Sequence, residues 1–333
     1  MWRLQLHTLL SDFKRYRIQQ QQQCYAVTLY MSLLAIVILS RGNCGLSIGT
    51  TRYLVAMATA DLLTIITDII LWRISYYYFP GTFLDITPVC SVINVLANVA
   101  TNCSVWYTVI FTFDRFIAIC YHDLKTKYCI GKNAPVVLAI TGVLLCLKNL
   151  PFYFTQQPGR MIGNVPWDCF RKPSYFTAPG WVAFGWLDPI LTPLFPFVLI
   201  LLLNTLTVRH ILVASRVRKG LWGQNMAENR SDPEMESRRR SVILLFAISG
   251  SFILLWLVSV VKFFHYAIAG ADPNNYNESE YVFEHSGDML LALNCCTNTF
   301  IYGVTQSKFR EQFLNAVKYP FSSIIQLINK RNN

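Results

Sequence analysis

Thr108-Val109-Ile110-Phe111-Thr112-Phe113-Asp114-Arg115-Phe116 is the stretch that decides how this chain is read. It sits near the end of an apolar run, 89–120, long enough to cross a bilayer as a helix. An adjacent acid and base at the end of such a helix are costly to place there, which marks Asp114 and Arg115 as functional. Six more apolar runs flank it, at 24–39, 53–72, 134–154, 181–208, 242–261 and 281–304. Most approach the roughly 20 residues a spanning helix needs; the first is marginal at 16 residues. Apolar residues make up 53% of the chain and charged residues 14%, the balance of a membrane protein. The expected fold is all-α: a seven-transmembrane helix bundle.

Alternate loops differ in basic content. Residues 40–52, 115–134, 208–240 and 304–333 hold 19 of the 29 Lys and Arg, and the other loops hold 10. The positive-inside bias then places the first set in the cytoplasm and the N-terminus outside. The N-terminal segment runs against this, with Arg3, Lys14, Arg15 and Arg17 facing one acid, Asp12. The expected organisation is an extracellular segment at 1–23, a spanning domain at 24–304 and a cytoplasmic tail at 305–333. A formal charge of +11 also raises nucleic-acid binding. The basic residues cluster at helix ends, however, so membrane lipid is the expected contact and nucleic acid is not. No signal peptide is read in Met1–Leu10. The five histidines are scattered without a nucleophile–base pairing, which argues against an enzyme, and no inverted repeat supports a transporter. Cys90, at the outer end of the third run, and Cys169, in the long outer loop, are candidates for a disulfide; the alternative is two free thiols.

Several spacings together resemble the rhodopsin-like G-protein-coupled receptors over about residues 30–318. Cys90 precedes Arg115 by 25 residues, and Asp61 lies in Leu54-Val55-Ala56-Met57-Ala58-Thr59-Ala60-Asp61-Leu62. Pro196 is followed eight residues later by Asn204; Phe252 and Trp256 stand as an aromatic pair; Asn298-Thr299-Phe300-Ile301-Tyr302 closes the seventh run. Lys308-Phe309-Arg310 opens what resembles a short amphipathic eighth helix. Within the family the chain looks closest to the orphan group of the probable G-protein coupled receptor 139. The resemblance implies a plasma-membrane receptor that activates a heterotrimeric G protein, with the Gq family favoured. It assigns coupling and activation to Asp114, Arg115, Asn204, Trp256, Asn298 and Tyr302.

Asp61 in mid-helix needs polar partners, and Ser104, Asn294 and Asn298 are the candidates. Oxygen donors of this kind suit a hard cation, and the resemblance implies sodium; a water-filled polar cluster is the alternative. For a ligand, Ala97 replaces the acid of aminergic receptors. The candidate pocket residues are Ala97, Asp68, Arg73, Asp188, Lys262 and Asp288, beside Trp106, Trp186, Phe263 and Tyr266. Acids, bases and aromatic walls suit a small extracellular ligand, an aromatic amino acid or a peptide. Asn277 in Asn277-Glu278-Ser279 is the outer glycosylation sequon. The chain also departs from the family. Ser32 stands for the first-helix Asn, Val258 for the sixth-helix Pro and Thr299 for the seventh-helix Pro, and the fourth run lacks Trp. These departures leave a divergent bundle without signalling as the alternative reading.

Overall fold

The computed structural model describes residues 26–42, 44, 46–121, 130–221, 233–269 and 278–318. Asn277 and the whole of 1–23 lie outside them, as does the tail beyond 318. Eight helices carry the labels used below. They are α1 (Ala26–Ser40), α2 (Ile48–Ile74), α3 (Thr87–Cys120), α4 (Ile130–Asn149), α5 (Pro179–Pro189 and Phe195–Leu221, joined through Ile190–Leu194), α6 (Pro233–Ala269), α7 (Glu278–Thr305) and α8 (307–318). Among the described residues, five stretches are long and apolar enough to cross a membrane: Ile48–Ile74, Thr87–Cys120, Asn133–Thr155, Pro179–Ala214 and Arg239–His265. The first and seventh apolar helices are shorter, at Ala26–Ser40 and Met289–Thr305. These seven elements fall on the seven apolar runs.

α3 is the central strut and packs against α2, α4, α5 and α6, while α7 closes the bundle against α6 and α2. In lipid, apolar side chains gain little by leaving one hydrocarbon for another. Association therefore rests on close packing and on polar ties between helices. The tight core around Tyr53, Leu54, Phe111, Leu244, Tyr302 and Phe309 supplies the first. Asn102 Nδ2 donating to Asn149 Oδ1 at 3.1 Å ties α3 to α4, an example of the second. Such ties are individually worth about 0.6 kcal/mol. Gly287 of α7 packs against the Lys262 side chain of α6: a Cβ there would lie 2.9 Å from Lys262 Cδ.

Two helices depart from α geometry. Ile65–Ile74 of α2 is π-helical, and residues five apart, which point away from each other on an α-helix, are brought together there. In α5, Thr192 leaves the helical region at φ −156° and ψ 110°. It precedes Pro193, whose ring disfavours helical backbone at the residue before it. By contrast α6 runs unbroken through Val258 from Pro233 to Ala269.

The long outer loop that holds Cys169 folds as a hairpin. β1 (Gln156–Gln157) pairs antiparallel with β4 (Phe170–Arg171), and β2 (Arg160–Ile162) with β3 (Val165–Trp167). Gly163 and Asn164 turn the chain with φ of 55° and 64°, the left-handed pair that a two-residue hairpin loop requires. Asp168 N–H donates to Asp85 O at 2.8 Å, and Thr87 Oγ1 donates to Asp168 O at 2.7 Å. The hairpin is thereby laid across the start of α3.

Candidate functional site

The sequence candidates gather at three levels of the bundle. At the hairpin end, Cys90 and Cys169 are joined in a disulfide, which settles the choice between a bond and free thiols. Cys90 is buried one turn into α3, so the bond fixes β4's approach to that helix.

The charged residues near this end do not converge as one set. Asp68 and Arg73 pair within α2, with Arg73 Nε donating to Asp68 Oδ2 at 3.2 Å. The π-helical turn makes that i, i+5 contact possible. Asp188 accepts from Lys148 Nζ at 2.5 Å, an α5–α4 bridge whose side chains are about one-fifth exposed. Lys148 was not among the sequence candidates. It lies one position before Asn149, the partner of Asn102, and a basic residue at the outer end of an apolar run was the available signal. Lys262 runs along α7 at Gly287, and Ala97 is buried on α3. The Asp288 and Tyr266 side chains lie outside the described residues. Around these groups, Trp186 meets Phe263 edge-on at 5.8 Å, and Trp106 Nε1 donates to Thr192 Oγ1 at 3.2 Å. The backbone break at Pro193 presents that threonine, another residue the sequence reading missed.

Midway down, Asp61 is completely buried. Its Oδ1 accepts from Ser104 Oγ at 2.5 Å and its Oδ2 from Asn298 Nδ2 at 2.9 Å, so one carboxylate joins α2, α3 and α7. Asn294 is buried one turn away on α7; among the described residues the carboxylate's hydrogen bonds come from Ser104 and Asn298. Ser32, in the place of the family's first-helix Asn, is buried with its hydroxyl unpartnered. No basic side chain among the described residues pairs with Asp61, and the Asp61 carboxylate, the Ser104 hydroxyl and the side-chain amides of Asn294 and Asn298 all carry oxygen atoms. Oxygen ligands fit a hard cation. No cluster of three His, Cys, Asp or Glu suited to a metal occurs among the described residues. Beside this level Phe252 and Trp256 stack at 5.6 Å, both buried.

At the far end Arg115 is paired with its own neighbour Asp114 through Nε at 3.0 Å and through Nη2. The acid is 3% exposed and the base 12%. Asn204 Nδ2 donates to Ser249 Oγ at 2.8 Å, tying α5 to α6; Ser249 too was missed, since only the fold brings it there. Tyr302 is fully buried, its ring edge-on to Phe309 of α8 at 5.8 Å.

The sequence matches the model of the 7 transmembrane receptor (rhodopsin family) over residues 31–302. The chain belongs to that family. This receptor is therefore a multi-pass plasma-membrane protein and not an enzyme, and its family couples extracellular ligands to G proteins. It is 22% identical to the Galanin-like G-protein coupled receptor npr-9 of Caenorhabditis elegans, over 92% of this chain and 73% of that protein. It is 22% identical to the Cysteinyl leukotriene receptor 1 of Cavia porcellus, over 84% and 78%. It is 26% identical to the Tachykinin-like peptides receptor 86C of Drosophila melanogaster, over 67% and 44%. The relatives named here are peptide and leukotriene receptors, and they lend the narrower likeness to the 139 group no support.

Proposed function

We propose that the receptor binds a peptide at its hairpin end, facing outward, and activates a heterotrimeric G protein at its Asp114 end, facing the cytoplasm. The observation that carries this is the near-buried Arg115, held by Asp114 at the end of the central helix. A cation so placed serves a partner that arrives when the helices separate. A peptide is favoured because the hairpin end offers ion pairs of both signs, Asp68–Arg73 and Lys148–Asp188, with aromatic walls. The likeness to the galanin-like and tachykinin-like peptides receptors points the same way. Resemblance to the 139 group favours an aromatic amino acid as the second reading, and the Gq family as transducer.

A ligand screen with G-protein activation as readout tests this, offering peptides, cysteinyl leukotrienes and aromatic amino acids to cells expressing the receptor. A peptide is expected to activate it. Lys148→Ala leaves Asp188 unpaired and should lower peptide potency by about tenfold or more. Activation by amino acids alone would contradict the peptide assignment, and unchanged potency in Lys148→Ala would remove the pair from the pocket.

The same reading assigns a sodium site to Asp61, with Ser104, Asn294 and Asn298 as the other oxygen donors. A bound cation would offset the buried charge of Asp61. Sodium is then expected to lower agonist affinity by favouring the closed packing, and Asp61→Asn, which keeps the shape and removes the charge, should abolish the effect. Radioligand competition with and without sodium decides it; an equal sodium response in both proteins would contradict the site.

A further inference from the structure

α6 is a continuous helix, yet its buried side chains belong to two separate cores. Toward the Asp114 end, Leu244, Leu245 and Ile248 pack in the core that holds Phe111 and Tyr302. Toward the hairpin end, Phe252 and Trp256 pack with Val105 and Val109 of α3 and Ile200 of α5. Ser249-Gly250-Ser251 is the stretch between the two.

The same three residues weaken the helix locally. Ser249 Oγ donates to Leu245 O at 2.7 Å, and Ser251 Oγ donates to Ile248 O at 2.9 Å. Hydroxyls that turn back on the preceding turn compete with the backbone N–H donors and bend a helix. The glycine between them lowers helix stability relative to alanine. Packing does not require that glycine, because a Cβ at residue 250 would meet nothing within 4 Å. Gly and Ser together are a site of helix kinks, as are proline and π-bulges. Val258, further along the helix, offers none of these. Asn204 Nδ2 of α5 donates to Ser249 Oγ at 2.8 Å, and Ser249 is fully buried, so the tie to α5 sits inside the bundle at the weakened stretch. A helix fastened at one point and soft at the same point bends there.

We infer that Ser249-Gly250-Ser251 is the joint of α6, pinned to α5 by Asn204, and that the Asp114-side half swings from it while the hairpin-side half stays packed through Phe252 and Trp256. Arg239 begins the apolar stretch of α6. It lies about 17 Å from Gly250 along the axis, so a bend of about 20° at the joint moves it about 6 Å. That displacement opens room beside Arg115, because α3 packs against α6, without disturbing the second core. The swing rests on the G-protein reading above; the joint does not.

Amide hydrogen–deuterium exchange of the purified full-length receptor, followed by mass spectrometry and corrected for the intrinsic rate of each residue, tests the joint without any ligand. The N–H groups of residues 251–254 bond across it to carbonyls one turn back. They are expected to exchange at least about fivefold faster than those of residues 258–262. Gly250→Ala should slow them about fivefold, the fold-change that corresponds to the lower helix stability of glycine. Ser251→Ala removes one back-bonding hydroxyl and keeps the glycine; it should slow them too, and decides if Gly250→Ala fails to fold. Uniform protection along α6, fastest exchange at Val258, or unchanged rates in the variants would overturn the joint. Nucleotide exchange by a G protein tests the swing. Asp114→Asn removes the charge that holds Arg115 and is expected to raise it; adding Gly250→Ala should lower that raised rate about fivefold. An unchanged rate would overturn the swing. If Asp114→Asn raises no nucleotide exchange, the G-protein reading fails and the swing with it, while amide exchange still decides the joint.

Discussion

Arg115→Ala is expected to reduce G-protein nucleotide exchange to the level of membranes without the receptor, while ligand affinity changes by less than about threefold, as for distant sites that share no partners. The reason lies in how the arginine is held. Neighbours in sequence point about 100° apart on a helix and do not ordinarily face each other. Arg115 nevertheless folds back on Asp114, with Nε 3.0 Å from Oδ2 and its guanidinium 5.9 Å from the Phe111 ring. That arrangement keeps the cation inside the bundle end while α3 packs against α6. Releasing it exposes the cation to a partner and leaves a nearly buried carboxylate behind, so release is tied to opening of the helices. Asp114→Asn removes the holding charge with little change of shape and should raise exchange without ligand. Exchange assays on membranes containing wild type, Arg115→Ala and Asp114→Asn read both effects. Wild-type signalling by Arg115→Ala would place the coupling contact elsewhere.

Loss of the disulfide should have the next largest effect. Cys90 and Cys169 close a loop 79 residues apart in sequence. Constraining a loop of that size in the unfolded chain contributes about 2–4 kcal/mol in the usual range. The hairpin keeps other ties to the start of α3, through Asp85, Thr87 and the Ile86–Trp167 bridge. Folding should therefore be weakened and not prevented. Cys90→Ser and Cys169→Ser should each lower surface expression and thermal stability, and the double variant should match either single one, because removing one sulfur already breaks the bond. Mild reduction of the wild type should reproduce the loss. Additive losses in the double variant would mean that the two sulfurs contribute separately.

Much of the architecture was legible because spanning helices must be apolar over a fixed length. The runs at 89–120 and 281–304 fall within three residues of α3 and α7. Two of the three expected partners of Asp61, Ser104 and Asn298, were legible for a related reason: a mid-helix acid needs polar partners, and few polar residues sit on neighbouring runs. What escaped was long-range or off the α-helical period. Asp188 and Lys148 are 40 residues apart, and nothing local tells which cation an acid will meet. Asp68 and Arg73 would not face each other on an α-helix, and it is the π-helical turn that joins them. The hairpin did leave a trace in Gly163-Asn164 between Ile162 and Val165, the residue types that such a turn demands, but its strands are only two or three residues long. The pocket set was accordingly the least legible part. Its members resolve into separate ion pairs, and Lys148, which holds one of them, carried no mark beyond its charge.

The whole assignment of ends, ligand at the hairpin and G protein at Arg115, depends on which way the bundle crosses the membrane. The loop charges put the hairpin outside, against the basic N-terminal segment. Epitope tags at the two termini, stained on intact and on permeabilised cells, measure this without any ligand. The account predicts that the N-terminal tag is stained on intact cells and the C-terminal tag only after permeabilisation. A C-terminal tag stained on intact cells, with the N-terminal tag hidden, would contradict it.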